Sequence, residues 1–152
     1  MRDHTRDYCF AAFRFWARWG GKENFVNQKL ADLRLQKGTG ICSSTESIAV
    51  KRDQIMRELQ AEIDDLEAVE KVVNACRQNY PEIWQALNTV YFYKPYEDFD
   101  WGEIVQQVHF ASLQIPASER QVYRWLRQAR MLFAEERGLR LYGEPKREKA
   151  VV

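Results

Sequence analysis

Residues 118 to 136 carry two helical faces of opposite character, and this pattern constrains the fold of the chain most strongly. Successive residues of an α-helix are turned by about 100°, so residues three or four positions apart share a face. One face is apolar: Val122, Leu126, Ala129 and Phe133. The opposite face is basic: Arg120, Arg124 and Arg127. Ser118 can cap this helix, and Gln121 three residues later can complete a capping box. The sequence therefore predicts a helix that starts after Ser118 and packs on a core by one side.

The arginines of this helix are the first indication of function. The planar guanidinium group suits both phosphate and the edge of guanine, and a helix N-terminus attracts anions. The side chains that we expect to contact DNA are Ser118, Arg120, Gln121, Tyr123, Arg124, Arg127 and Arg130. Arg120, Gln121 and Arg124 are expected to probe base edges, and the tyrosine and the two later arginines to hold phosphates. The alternative is a solvated charged face without a ligand.

Composition limits the size and class of the protein. With 152 residues and 45% hydrophobic side chains, the chain is long enough for one modest domain and an appendage. The net charge is only +1, but both ends of the chain are basic and the middle is acidic. That distribution favours a protein that presents one surface to DNA and keeps another for protein or solvent.

Several classes of site are not indicated. Cys9, Cys42 and Cys76 are far apart and are accompanied by only two histidines, so we expect no metal and no cofactor. The sequence shows no arrangement of nucleophile and base, and we expect no enzyme. Reduced thiols predict a location in the cytoplasm. The lack of a signal peptide and of any apolar run near about 20 residues predicts no membrane partner.

An aromatic amphipathic helix is predicted near the N-terminus. Its apolar stripe comprises Tyr8, Ala12, Phe15, Trp16 and Trp19. Arg14 and Arg18 are expected on the opposite, polar side. Gly20 and Gly21 should end this helix, and a short helix around 25–35 should lead to a loop at the glycines of 38–40. We expect the stripe to be buried against the rest of the protein or a second copy; a membrane-surface helix is the alternative.

A long helix is predicted from a second capping box, Ser43 and Glu46, to about Cys76. Apolar residues recur along it at intervals of three, four or seven. At 1.5 Å per residue it would span roughly 50 Å, too long to be buried end to end in a domain of this size. We therefore expect its N-terminal part to project and to support a dimer. An intramolecular helical hairpin is the alternative.

The C-terminal part is predicted to consist of further helices. Pro81 should begin one, and Asp100 with Glu103 should open another, short one. A connection over 110–117 then leads to the basic helix, and this order indicates a helix-turn-helix unit. The connection is longer than the three or four residues usual for such a turn, so 111–114 look inserted.

The expected fold class is all-α, with a long helix, a C-terminal helix-turn-helix and an aromatic N-terminal helix. Four segments are predicted: an N-terminal helix and linker (1–43), a long helix that supports dimerisation (44–78), a DNA-binding region (79–141) and a flexible tail (142–152).

Residues 44–141 resemble the RinA- and ArpU-like family of phage late-gene regulators, whose C-terminal part is similar to region 4 of bacterial sigma factors. The residues before the basic helix that carry the resemblance are Glu67, Val69, Val73, Leu87, Tyr91 and Phe92. Its most specific part lies at 118–136. The resemblance implies that the helix after Ser118 enters the major groove, with Arg120 and Arg124 at the matching basic positions and Arg127 continuing that face.

The leading hypothesis is a phage- or prophage-encoded transcription regulator that binds duplex DNA as a dimer. Activation would come from recruiting or reorienting RNA polymerase. Two alternatives stay open. A small terminase-like packaging subunit also joins a helix-turn-helix to an oligomerising helical region, and a protein-binding adaptor would use the same surfaces without DNA.

Overall fold

The computed structural model describes residues 4–37 and 45–139, and every regular element in these residues is helical. The helices are α1 (His4–Trp19), α2 (Lys22–Lys37), α3 (Thr45–Glu58), α4 (Gln60–Asn79), α5 (Pro81–Ala86), α6 (Trp101–Gln114) and α7 (Glu119–Arg137). Helix α5 continues into one π-helical turn, Leu87–Tyr91. The expected all-α class is confirmed.

Several helix ends lie where the sequence places them. Gly20 and Gly21 have φ angles of 74° and 110°, which residues with a β-carbon rarely adopt, and they separate α1 from α2. Pro81 lies in the first turn of α5, where its missing N–H costs nothing. Gly138 caps α7 in the left-handed conformation. The predicted capping box at Ser43, the loop at 38–40 and the tail at 142–152 lie outside the described residues.

The main core lies between α1, α4, α5, α6 and α7. The ring of Phe13 from α1 stands 5.7 Å from that of Tyr91 and 5.6 Å from that of Phe133, between ring centroids. All three side chains are fully buried, and each such burial stabilises the fold by about 2–3 kcal/mol relative to an exposed side chain. The N-terminal helix and α7 therefore share one core.

A second, smaller core joins α2 and α3 to α1 and to the first half of α4. Its buried members are Phe25, Val26, Leu30, Ile55, Ile63 and Leu66. Trp16 of α1 packs against both cores. Because α3 contributes Ile55 to this core and contacts α2, it folds back within the chain.

The long helix predicted from 43 to about 76 is interrupted once, so that it forms the two helices α3 and α4. The helix bends at Leu59, which has φ −110° and ψ 30° and separates α3 from α4. The hydrogen bonds from Leu59 N to Ile55 O and from Ile63 N to Leu59 O, both 2.9 Å, continue across the bend. Ile55 and Ile63, on either side of Leu59, are both buried in the second core. The segment expected to project is thus packed on α2, as in the hairpin alternative.

Candidate nucleic-acid interface

Helix α6 is longer than the sequence suggested, and its link to α7 is correspondingly shorter. The Asp100 side chain starts α6 by accepting a hydrogen bond of 2.9 Å from Glu103 N. The last turn is closed by Ile115 N, which donates to Ala111 O at 2.8 Å. The predicted connection over 110–117 was therefore wrong, because 111–114 are helical and Ala111 is buried in the main core. Only the four residues 115–118 separate the two helices.

The start of α7 is capped as predicted. Ser118 Oγ accepts a hydrogen bond of 3.1 Å from Gln121 N, and Ser118 itself is extended, with φ −76° and ψ 159°. Ile115, three residues earlier, is buried in the main core and holds the link against the protein. The direction in which α7 leaves this link is therefore set by a buried side chain and a cap.

The far end of α7 is tied to α1 and α4. Arg137 Nε donates to Asp65 Oδ1 at 2.7 Å, and Tyr8 Oη donates to the same carboxylate at 2.7 Å. The hydrogen bond with Asp65 raises the pKa of Arg137, so this guanidinium stays charged. Helix α7 is thus held at both ends as well as along its apolar side.

The two predicted faces of α7 are confirmed. The four residues of the apolar face are buried in the main core: Val122, Leu126, Ala129 and Phe133. The three arginines opposite them are exposed: Arg120, Arg124 and Arg127. We call these three the arginine face. Among the residues that the structure describes, Arg120 and Arg124 make no ion pair with a carboxylate.

Two further predicted contact residues lie beside the arginine face. Tyr123 is partly exposed. Burial, followed by the charge of Glu119, raises the pKa of Tyr123, so its hydroxyl is neutral and can donate a hydrogen bond. Gln121 is half-buried in the first turn of α7.

Arg130, the remaining predicted phosphate contact, lies apart from the arginine face. It is half-buried, and its Nη1 donates to Tyr91 Oη at 2.7 Å. Burial raises the pKa of Tyr91, so the tyrosine is a neutral acceptor for this charged donor. The structure therefore gives Arg130 an internal partner at the end of the π-helical turn.

Arg14 of α1 was predicted on the polar side of this helix, but it lies on the buried side. It is 5% exposed and its guanidinium donates to four backbone carbonyls. Nη1 bonds the carbonyls of Tyr91 and Tyr93 at 2.8 and 2.9 Å. Nη2 bonds those of Lys94 and Glu97 at 2.7 and 2.6 Å. Arg14 thus holds the segment that joins α5 to α6.

The buried face of α1 is rotated relative to the predicted one. Tyr8, expected in the apolar stripe, is 41% exposed, whereas Phe13 and Arg14 are buried. Burial, reinforced by the charge of Arg18, lowers the pKa of Arg14. The carbonyl oxygens replace the water that this charge loses, which is why an arginine is tolerated there. A short loop with free carbonyls is not visible in a sequence, so no pattern signalled this site.

A candidate metal site and a membrane-spanning helix are both absent from the described residues. In 4–37 and 45–139 there is no group of three or more His, Cys, Asp or Glu side chains that could hold a metal ion. Burial raises the pKa of the Cys76 thiol to about 11, which makes it a poor nucleophile. None of the helices in this part of the chain is both long and apolar enough to cross a lipid bilayer.

Comparison with known protein families, with curated proteins and with solved structures finds no match to this chain. The resemblance to the RinA- and ArpU-like regulators therefore stays an expectation from sequence. The role of the exposed arginines follows from their own chemistry and from the geometry of α6 and α7.

Proposed function

We propose that this chain is a sequence-specific regulator of transcription, of the phage late-gene kind, that binds duplex DNA through the arginine face of α7. The observation that carries the proposal is the exposure of Arg120, Arg124 and Arg127 on the side of α7 turned away from the core. These arginines begin in the first turn of the helix, where the backbone N–H groups also attract phosphate.

The geometry of α6 and α7 supports this proposal. A link of four residues is the length typical of a helix-turn-helix, in which the second helix lies in the major groove. A helix with its side chains is about 10–12 Å across and the major groove is about 12 Å wide. Because α7 is packed along its other side, the arginine face is the side of this helix that remains exposed to a duplex.

The proposed roles follow from position along α7. Arg120, Gln121 and Arg124, in the first two turns, probe base edges. Tyr123 and Arg127 hold phosphates and set the register on the duplex. We leave Arg130 out of this set because Tyr91 already accepts its hydrogen bond inside the fold. Regulation would then come from the position of the bound protein relative to RNA polymerase.

The test is a salt titration of binding to duplexes selected from a random pool. We expect Arg127→Ala to weaken binding to all duplexes and to reduce the slope of log K against log salt by about 1. Arg124→Ala should also relax the sequence preference, because a lost base contact costs about 1–3 kcal/mol of discrimination.

The matched control is Arg57→Ala, since Arg57 is an exposed arginine in α3, on another part of the fold. This variant should bind as the unaltered protein does, and circular dichroism should show the same helix content for all variants. Equal, salt-insensitive binding by the unaltered protein and the two α7 variants would contradict the proposal.

A further inference from the structure

A groove lies between the start of α5 and one side of α7. Its volume is about 350 Å³. Two aromatic residues line it, Tyr80 and Trp125, together with the buried Ile83 and the half-buried Leu132. The other lining residues are Glu82, Gln128, Met131 and Glu135. We call the space between these residues the α5–α7 groove.

The charge of the α5–α7 groove is negative. Two of its lining residues are glutamates, and none is a lysine, an arginine or a histidine. Glu82 is exposed, and it makes no ion pair among the residues that the structure describes. A negative groove repels phosphate, which argues against DNA as its ligand and favours a cation.

The tryptophan of the groove differs from three others in the chain. Trp19, Trp84 and Trp101 each have a cation of the protein itself over the ring, at 5.1, 4.2 and 4.3 Å from the centroid. Trp125 has neither a cation nor a second ring against it in the described part of the chain. Its half-buried ring therefore offers an unoccupied π face beside two carboxylates.

The arginines nearest to the groove in the chain do not line it. Arg77, at the end of α4, lies over the ring of Trp84. Arg124 and Arg127 belong to the arginine face, about 100° or more from Trp125 around α7. The cation that this groove suits is thus not supplied by these neighbours.

We propose that the α5–α7 groove binds a small organic cation, with its ammonium or guanidinium group against Trp125 and its apolar part against Ile83 and Leu132. The face of an indole attracts a cation more strongly than any other aromatic side chain does. The volume of the groove lies within the range of about 300–1,000 Å³ that is usual for small-molecule sites. A stable protein interface buries about 800 Å² on each partner, so the size of the groove favours a small molecule over a protein.

The first test is a titration of the whole chain with phenyltrimethylammonium, followed by proton–nitrogen correlation NMR. The signal of the Trp125 indole N–H is identified by its loss in Trp125→Leu. We expect this signal to shift with a dissociation constant on the order of 1 mM, because so small a ligand gains little binding energy. The indole signal of Trp19, which lies in the smaller core under Lys29, should shift little.

Two further ligands of similar size separate charge from shape. Benzyl alcohol is neutral and should bind about tenfold more weakly than phenyltrimethylammonium, because it lacks the attraction of a cation to the ring and the carboxylates. Benzenesulfonate is an anion and should not shift the Trp125 signal.

The second test uses variants of the groove. Glu82→Gln removes one charge from an exposed side chain and should weaken the binding of phenyltrimethylammonium about threefold. The matched control is Glu62→Gln, at an exposed position in the first turn of α4, at the other end of that helix from Tyr80. It should leave the affinity unchanged. Trp125→Leu, followed through the backbone amide of Gln128, should weaken binding about tenfold, and circular dichroism verifies the fold of each variant.

Three outcomes would overturn the proposal. One is a Trp125 signal that does not shift at ligand concentrations well above the expected dissociation constant. The second is equal binding of benzyl alcohol, since the groove would then select an apolar ring and not a cation. The third is tighter binding of a short arginine-containing peptide to the same residues, since the groove would then dock a protein. None of these results bears on DNA binding through the arginine face, which is measured with different variants.

Discussion

A single buried arginine organises the segment between α5 and α6. Both terminal nitrogens of the Arg14 guanidinium donate hydrogen bonds to backbone carbonyls within residues 91–97. The Cζ atom of Arg14 lies 4.0 Å from the centroid of the Phe99 ring. Tyr91 is common to two such contacts, because its carbonyl accepts from Arg14 and its hydroxyl from Arg130. Through this one residue, α1 and α7 are joined by hydrogen bonds as well as by packing.

We expect Arg14→Met to lower the free energy of unfolding by about 3 kcal/mol, because it removes the donor from one buried and three partly buried carbonyls. Arg14→Lys should recover part of the loss, since an ammonium group can reach fewer of these oxygens. Urea unfolding measures the free energy of unfolding of both variants. Arg18→Met is the matched control: Arg18 touches the same segment from the solvent side, at Pro95 O, and should cost less than about 0.5 kcal/mol. Equal losses for both methionine variants would refute the role of Arg14.

At the scale of elements, the geometry of α6 and α7 depends on where each helix starts and stops. Both begin with a side-chain cap, Asp100 for α6 and Ser118 for α7. The end of α6 is decided by tertiary contacts, because Ala111 and Ile115 are both buried in the main core. The burial of these two residues therefore fixes the length of the link at four residues. The sequence shows only helix-forming residues followed by Pro116, and this pattern does not define where α6 ends.

Removing the cap of α7 should destabilise the protein without changing its fold. We expect Ser118→Ala to cost about 1 kcal/mol in urea unfolding, and Ser118→Asp to retain most of the stability, because a carboxylate also caps Gln121 N. Ser112→Ala is the control, since the Ser112 hydroxyl bonds His109 O within α6 and caps nothing. A loss no greater for Ser118→Ala than for Ser112→Ala would show that the cap is not important.

At the scale of the whole molecule, α1 and α4 connect the two cores. Trp16 packs against both clusters, and α4 supplies Ile63 to the smaller core and Val69 to the main one. A protein in which two helices run through both cores should unfold in a single step. Four of the five tryptophans pack against one or both cores and allow this to be followed by fluorescence: Trp16, Trp19, Trp84 and Trp125.

We expect Phe13→Ala to lower the stability of the whole molecule by about 3–5 kcal/mol, because it removes a fully buried ring from the centre of the main core. Fluorescence and circular dichroism should report the same midpoint in denaturant. Tyr96→Ala, at an 80% exposed position, is the matched control and should cost little. Separate midpoints for the two probes would mean that the cores unfold independently.

The sequence by itself determined the parts that depend on local spacing. The all-α class, the cap at Ser118 and the two faces of α7 were predicted and confirmed, because helical periodicity and capping act over three or four residues. The apolar face of α7 was unambiguous since four of its residues recur at helical intervals with arginines across from them. The same local rules located the start of α5 at Pro81.

Tertiary structure alone decided the features that depend on residues distant in the chain. The bend at Leu59 leaves the apolar spacing unbroken, so only packing on α2 reveals it. The burial of Arg14 requires carbonyls some 80 residues further along, which no periodicity encodes. The last turn of α6 depends on the core beneath Ala111. In each case the deciding factor is a stabilising contact between segments that are far apart in the sequence. Such contacts form only when the chain folds.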